Sequence, residues 1–455
     1  MFAAKVKSPF VILLAIIIFG ALFISLSEDD PVVKVESDYS LDIKSWQTDA
    51  GSKVIFVQAD ELPMLDVRVV FDAGSARDGK QAGLASFTNM TLDLGAGKWS
   101  TNEIAERLDS IGASISTSAL RDMAVVSLRS LTDTDILTKA MDTFVAVLHE
   151  PRFPQAEIAR AGKQVLISLK SKQQNPGDIA EELFYKNLYG DHPYATPVLG
   201  TEKSVKALSR NDLIGFYKKY YVASNAVIAM VGAVDETQAR KIANRLSQGL
   251  AKGQHAPALP KVPAKPQSEM VSHQHPSTQT HILSGQVGMM RGDKDYFALY
   301  VGNHILGGSG FGSRIVEEIR EKRGLAYSSY SYFIPMRNRG PFIMGLQTRN
   351  TQAKEALQLL KQTLSDFIEQ GPTAEELDHS KKNITGGFPL RIDSNKDITE
   401  YLALIGFYDL PLDYLQTFNQ TVLAVTREQI MGAFKRRVNP ENLVTVMVGN
   451  MEQAK

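Results

Sequence analysis

Not one of the 455 residues is a cysteine, which excludes a disulfide framework, thiol catalysis, iron-sulfur clusters and any zinc site with thiolate ligands. A metal would have to be held by His, Asp or Glu. Excess charge is also missing: 50 Lys and Arg balance 50 Asp and Glu, so no global field attracts polyanions and nucleic acid is not an expected partner. At 44% hydrophobic and 22% charged residues the chain is neither disordered nor collagenous nor a multi-span membrane protein, and its length allows two or more globular units. The phosphate loop is absent, because Gly97-Lys98 has Leu92 and Trp99 where glycine and a hydroxyl residue are required. Gly308-x-Gly310-x-Gly312 follows the helical pattern Phe297 to Leu306 and not a strand, which removes the dinucleotide reading and leaves a Gly-rich connection between helices. No Gly-x-Ser-x-Gly elbow occurs.

The N-terminus is different in kind. Phe10 to Leu26 is uncharged and apolar, preceded by Lys5 and Lys7 and followed by Glu28, Asp29 and Asp30, an asymmetry that keeps the N-terminus inside and exports the rest of the chain. Its length suits either a short spanning helix or a long signal-peptide core, and Ser25-Leu26-Ser27 loosely imitates a cleavage site. Residues 1–27 are therefore expected to be a signal anchor or signal peptide, with 28–44 as a tether. The expected location is the bacterial inner membrane facing the periplasm, or the periplasm itself after cleavage.

Strands are predicted at Lys53 to Gln58, Leu65 to Phe71, Ala113 to Ser118, Met123 to Leu128 and Ala226 to Val231. Helices are predicted at Gln81 to Leu94, Ile104 to Ile111 behind the capping box Ser100-x-x-Glu103, Asp133 to His149, Gln155 to Lys172, Asp178 to Leu188, Asp212 to Tyr221 and from Glu236. The order is a layered α+β pattern. It occurs twice. Ser209-Arg210-Asn211-Asp212 and the strand from Asn225 recur as Thr426-Arg427-Glu428-Gln429 and the strand from Asn442, both displaced by 217 residues. Two homologous domains, 45–250 and 267–455, are thus expected to face each other across a chamber. Between them the Pro-rich linker 251–266 (Pro257, Pro260, Pro263, Pro266) reads as an extended spacer.

Four stretches together resemble the pitrilysin or insulinase zinc metallopeptidases, in particular the short two-domain bacterial members: Gly74 to Met90, Leu188 to Glu202, the duplicated Asn-apolar strand, and Ile305 to Ser328 with Arg320-Glu321-Lys322-Arg323-Gly324-Leu325-Ala326-Tyr327. The resemblance covers roughly residues 45 to 450. In active members a helix after Gly-Leu-Ala carries His-x-x-Glu-His, two zinc ligands one turn apart with the general base between them. Here Gly83-Leu84-Ala85 is followed by Ser86, Asn89 and Met90 at those positions, and the third ligand position falls near Ser168 with no carboxylate. Hydroxyl, amide and thioether cannot hold zinc against water, and an amide cannot take its proton. Of the eight histidines only His273-x-His275 is closely spaced, as a strand or turn pair, and His192 is read as tying down a loop.

What the resemblance leaves intact is Arg320 and Tyr327, which in catalytic relatives bind substrate and the developing oxyanion. The alternative for these two is a helix-end arginine paired to Glu317 or Glu318 and a tyrosine packed in its strand. The implied function is a non-catalytic subunit of a heteromeric zinc peptidase, inactive alone, with no cofactor in this chain. Its expected partners are a zinc-bearing paralogue with an intact His-x-x-Glu-His, a peptide substrate and, through the N-terminal segment, the membrane. The other reading is a catalytically dead scaffold of the same fold in an envelope complex.

Overall fold

The computed structural model describes residues 41–263 and 267–454. The predicted N-terminal segment 1–27 and most of the tether lie outside them, as does Pro266. The first six strands are β1 (Lys44–Gln47), β2 (Lys53–Gln58), β3 (Met64–Phe71), β4 (Ser114–Ala119), β5 (Ala124–Leu131) and β6 (Ala226–Gly232), and they form one sheet in the order β1-β2-β6-β3-β5-β4. Only β2 and β6 run parallel. Strand β1 begins inside the segment assigned to the tether. Its alternating Lys-Ser-Trp-Gln is too short to carry a clear period.

Helices of this half are α1 (Leu84–Met90), α2 (Thr101–Asp109), α3 (Thr134–His149), α4 (Gln155–Lys172), α5 (Pro176–Tyr189), α6 (Glu202–Ala207), α7 (Arg210–Tyr220) and α8 (Glu236–Gln248). Their starts follow the side chains that can accept from free N–H groups. Ser100 and Glu103 close a capping box on α2, Asp133 caps α3, and Asn175 caps α5 with Pro176 at its first position. Leu65, Val67, Val69 and Phe71 from β3 point to these helices and share one buried core with Leu84, Phe87, Phe144 and Leu213.

The second half repeats the design with β7 (Glu269–Gln274), β8 (Gln279–Val287), β9 (Ala326–Phe333), β10 (Pro341–Arg349) and β11 (Val444–Gly449) in the order β7-β11-β8-β10-β9. This is the first sheet without β1, strand for strand, including the single parallel pair β7·β11. Its helices are α9 (Tyr296–Asn303), the single turn α10 (Arg314–Val316), α11 (Ala353–Gln370), α12 (Ala374–Gly387), α13 (Asn395–Phe407), α14 (Tyr414–Ala424) and α15 (Arg427–Arg437). The repeated capping signals are realised in both copies, Ser209 with Asp212 on α7 and Thr426 with Gln429 on α15. Among the described residues no helix is long and apolar enough to cross a membrane.

Each half covers the other's sheet with one helix. From the first half, α5 buries Ala180, Phe184 and Leu188 against Val444, Val446 and Val448 of β11. From the second, α13 buries Ile398, Leu402 and Ile405 in the same core as Ile55, Val57, Val227 and Val231 of the first sheet. Each strand set is thus buried on both faces, which is why β2 and β6 read as unbroken apolar runs. That packing fills with helix the space between the halves along these faces.

The linker, through Pro263, takes neither helix nor strand. It is not a free spacer, because its carbonyls are held from both halves. Arg77 donates to Pro257 O (2.6 Å), Asn338 to Pro260 O (2.6 Å) and Arg339 to Val262 O (2.8 Å), while His192 Nε2 lies 2.9 Å from Pro260 O. Beneath it Asp122, on the β4–β5 turn, accepts from the hydroxyls of Tyr194 (2.6 Å) and Tyr408 (3.0 Å) and from the backbone N–H of Arg337 (2.6 Å). Burial pushes the Asp122 carboxyl up, and these three donors, two of them from the second half, work against that shift.

Candidate functional site

Helix α1 begins where the backbone reverses at Gly83, whose φ of 88° is left-handed. The reversal brings two family-like stretches into backbone contact: a Cβ on Gly83 would meet Leu199 O at 2.8 Å, and one on Gly200 (φ 76°) would meet Ala82 O at 2.4 Å. The first N–H groups of the helix are received by Asp78, whose carboxylate accepts from Gly83 N and Ala85 N at 2.7 Å each. Burial pushes this carboxyl up to about 7 against the pull of those two bonds.

On α1, Ser86 is buried, Asn89 is 1% exposed and Met90 is half-buried against the first-half core. The Asn89 amide donates to the Tyr221 hydroxyl (3.1 Å) and to Val125 O on β5 (3.3 Å). Tyr221 in turn packs on Phe71 at 4.7 Å and stacks on Tyr217 at 5.3 Å, and burial raises its phenol so that it stays neutral. Ser168 lies half-buried on α4 with its hydroxyl returned to Gln164 O (3.1 Å), and no hydrogen bond joins it to the other three positions among the described residues. A zinc ion does not fit this donor set. Amide, hydroxyl and thioether supply no anionic or imidazole ligand, and the amide is already engaged in holding helix, strand and Tyr221 together. Among the described residues no three His, Asp or Glu side chains gather as a metal site.

In the second half Arg320 sits in Glu317–Glu321, the later of two π-turns, the earlier being His304–Gly308, and Tyr327 follows on strand β9. The carboxylates expected to neutralise Arg320 are occupied elsewhere. Lys322 binds Glu317 (2.9 Å) and Glu318 (2.7 Å), and Arg323 binds Glu318 (2.6 Å). Arg320 keeps a loose 3.4 Å contact with Glu321 and lies between two aromatic rings, 4.5 Å from Phe311 and 4.7 Å from Tyr327. Tyr327 is 82% exposed and Phe311 72% exposed.

The cause of that exposure is local. Strand β9 is a sheet edge, and its pairing with β10 skips from Ala326 to Ser328, so Tyr327 is the extra residue of a β-bulge. Bulges at sheet edges turn a side chain away from its normal face. The alternative of an Arg320 pair with Glu317 or Glu318 and a packed Tyr327 is therefore not what the structure contains. Phe311 escaped the sequence reading. Its only signal is an aromatic ring set inside Gly308-Ser309-Gly310-Phe311-Gly312, where Gly310 has φ 71°.

Comparison with known proteins follows the same division of the chain. The insulinase family (peptidase family M16) matches over residues 53–202, and the family described as peptidase M16 inactive domain matches over 207–384. A solved structure described as a peptidase M16 inactive domain from Pseudomonas fluorescens is 40% identical, with a TM-score of 0.87 over 90% of this chain and 98% of that one. The chain belongs to the insulinase family.

Within the insulinase family, relatives differ in what they are named. "Non-peptidase homolog YmxG" of Helicobacter pylori is 27% identical over 410 residues, covering 88% of this chain and 93% of that protein. "Uncharacterized zinc protease YmxG" of Bacillus subtilis is 25% identical over 355 residues, covering 77% and 85%. With Ser86, Asn89 and Met90 on α1, the present chain is a catalytically inactive member by its own residues. The imidazole of His192, read as a loop tie, accepts from Tyr194 N through Nδ1 while its Nε2 meets the linker, and burial lowers its pKa.

Proposed function

We infer that this protein is the non-catalytic subunit of a heteromeric zinc peptidase. A paralogue with an intact His-x-x-Glu-His supplies the metal, and this chain supplies Arg320 and Tyr327 to the substrate. The supporting observation is the ledge Phe311-Arg320-Tyr327, where a guanidinium is held between two exposed rings while every neighbouring carboxylate but one is bound to another cation. Its fork can donate to a substrate carbonyl, and the Tyr327 hydroxyl adds a second donor where negative charge develops. Residues 1–27 would export the chain and tether it at the inner membrane, or release it into the periplasm if they are cleaved.

Arg320→Ala is expected to lower the partner's turnover by about 10² to 10³ without dissociating the complex, the usual effect of losing one positioned oxyanion donor. Tyr327→Phe should cost less, and Lys322→Ala nothing. Melting temperature and partner affinity are the controls. A complex that forms and turns over normally with Arg320→Ala would instead make this chain a scaffold of the same fold.

A further inference from the structure

Tyr296 and Tyr300 lie one turn apart on α9 with their rings stacked, centroids 6.1 Å apart. A guanidinium stands at each end of the pair. Arg391, exposed at the end of the turn Pro389–Arg391, donates to the Tyr300 hydroxyl at 2.9 Å, and the Tyr401 phenol of α13 lies near the same guanidinium. Arg291, half-buried in the loop before α9, lies 5.9 Å from the Tyr296 ring and 5.6 Å from the Tyr408 ring. Among the described residues its only hydrogen bond is Nη1 to the Tyr296 hydroxyl at 3.5 Å, and its Nε is sealed from water with no acceptor there.

Neither arginine forms an ion pair among the described residues: the acids beside Arg291 are engaged elsewhere, and Asp393, two residues beyond Arg391, is exposed and not paired with it. Asp293 and Asp295 bind Arg437 and Arg436, and Glu400 binds Arg68. A half-buried positive charge without an anion, as at Arg291, is costly in a protein and is normally paired, and exposed Arg391 adds a second unpaired charge beside the same tyrosines. Burial also keeps the phenols of Tyr300 and Tyr401 protonated, so they remain donors.

From these contacts we propose that Arg291, Arg391 and the hydroxyls of Tyr300 and Tyr401 form a binding site for a divalent tetrahedral oxyanion of the phosphate type. Two guanidinium forks and two phenols offer more donors than a carboxylate has lone pairs directed toward them, and two positive charges match a dianion. The site lies on α9 and α13 and shares no residue with Arg320 and Tyr327, so it stands or falls independently of the peptidase reading.

The test is calorimetric titration of the purified chain with inorganic phosphate at constant ionic strength near pH 8, checked by phosphorus NMR. Saturable one-to-one binding is expected, with acetate about tenfold weaker. Arg391→Gln, an exposed change that should leave the melting temperature unaltered, is expected to weaken phosphate about tenfold. Arg291→Gln should act likewise, and if that variant does not fold, Arg391→Gln decides alone. Methyl phosphate distinguishes the source: tighter binding than inorganic phosphate marks a monoester group on a larger ligand, and equal binding marks the free ion. No saturable response in the millimolar range, or binding unchanged by Arg391→Gln, overturns the proposal.

Discussion

Asn89, which stands where the family resemblance puts the general base, has a structural role here. Its amide spans α1, β5 and Tyr221 in a region closed to water, where a glutamate would be a buried carboxylate facing a neutral phenol. Asn89→Ala should cost about 2 to 3 kcal/mol, because it leaves the buried Tyr221 hydroxyl without its partner, removes a second bond to Val125 O and opens a small void. Asn89→Glu should cost more, and Tyr221→Phe less. Urea unfolding of the three variants measures the order, and equal, negligible losses would show that the bonds are incidental. The positions Ser86, Asn89 and Met90 were singled out in the sequence through the family resemblance, by alignment on the Gly83-Leu84-Ala85 lead. The contacts that Asn89 makes were not legible, since its partner Tyr221 is 132 residues away in the chain. The same limit hid Phe311, whose meaning depends on a bulge at Tyr327 that only the pairing of β9 with β10 reveals.

Elements read from hydrophobic period and caps were found close to where they were expected, and α4 occupies the predicted Gln155 to Lys172. Helix α1 was expected over Gln81 to Leu94 and spans only Leu84–Met90. Gly83 supplies a left-handed start, and beyond Met90 the Thr91 hydroxyl bonds back to Phe87 O and Thr88 O while the chain turns toward Gly95 (φ 110°). Apolar composition alone does not register such turns. The short start is held by Asp78, and this gives α1 a pH dependence. An aspartate near 3.8 in the unfolded chain and near 7 in the folded one takes up a proton on folding between those values. Its contribution to stability is full below 3.8 and is lost as pH rises through about 7. Unfolding free energy should therefore fall from pH 5 to pH 7 by up to about 1.4 kcal/mol per unit from this group, and Asp78→Asn should remove that slope. Identical slopes in both proteins would mean that Gly83 N and Ala85 N keep the carboxylate ionised throughout.

At the scale of the whole molecule, the duplication was readable from two pairs of short segments with one common offset, and the identical strand orders follow from it. The exchange of α5 and α13 was not readable. An apolar helix face records that it is buried, and nothing in its sequence says against which sheet. Asp122 joins Tyr194, Tyr408 and Arg337 across the same boundary, and the linker carbonyls are bound from both sides, so the two halves form one folding unit. Expressed alone, residues 267–455 would leave Val444, Val446 and Val448 without α5, and residues 41–263 would leave Ile55, Val57 and Val231 without α13. Each fragment should then aggregate or lack a cooperative transition, whereas co-expression should yield a paired species, because the missing helix is supplied in trans. Phe184→Ala in the intact chain is the milder form of the same experiment. It removes a fully buried ring that packs against β11 and should cost about 3 to 5 kcal/mol, destabilising both halves together in a single transition. Gel filtration and near-ultraviolet dichroism report on the fragments, and calorimetry on the variant. A monomeric fragment with a sharp transition of its own, or a Phe184→Ala profile that splits in two, would show that each half folds without its neighbour's helix.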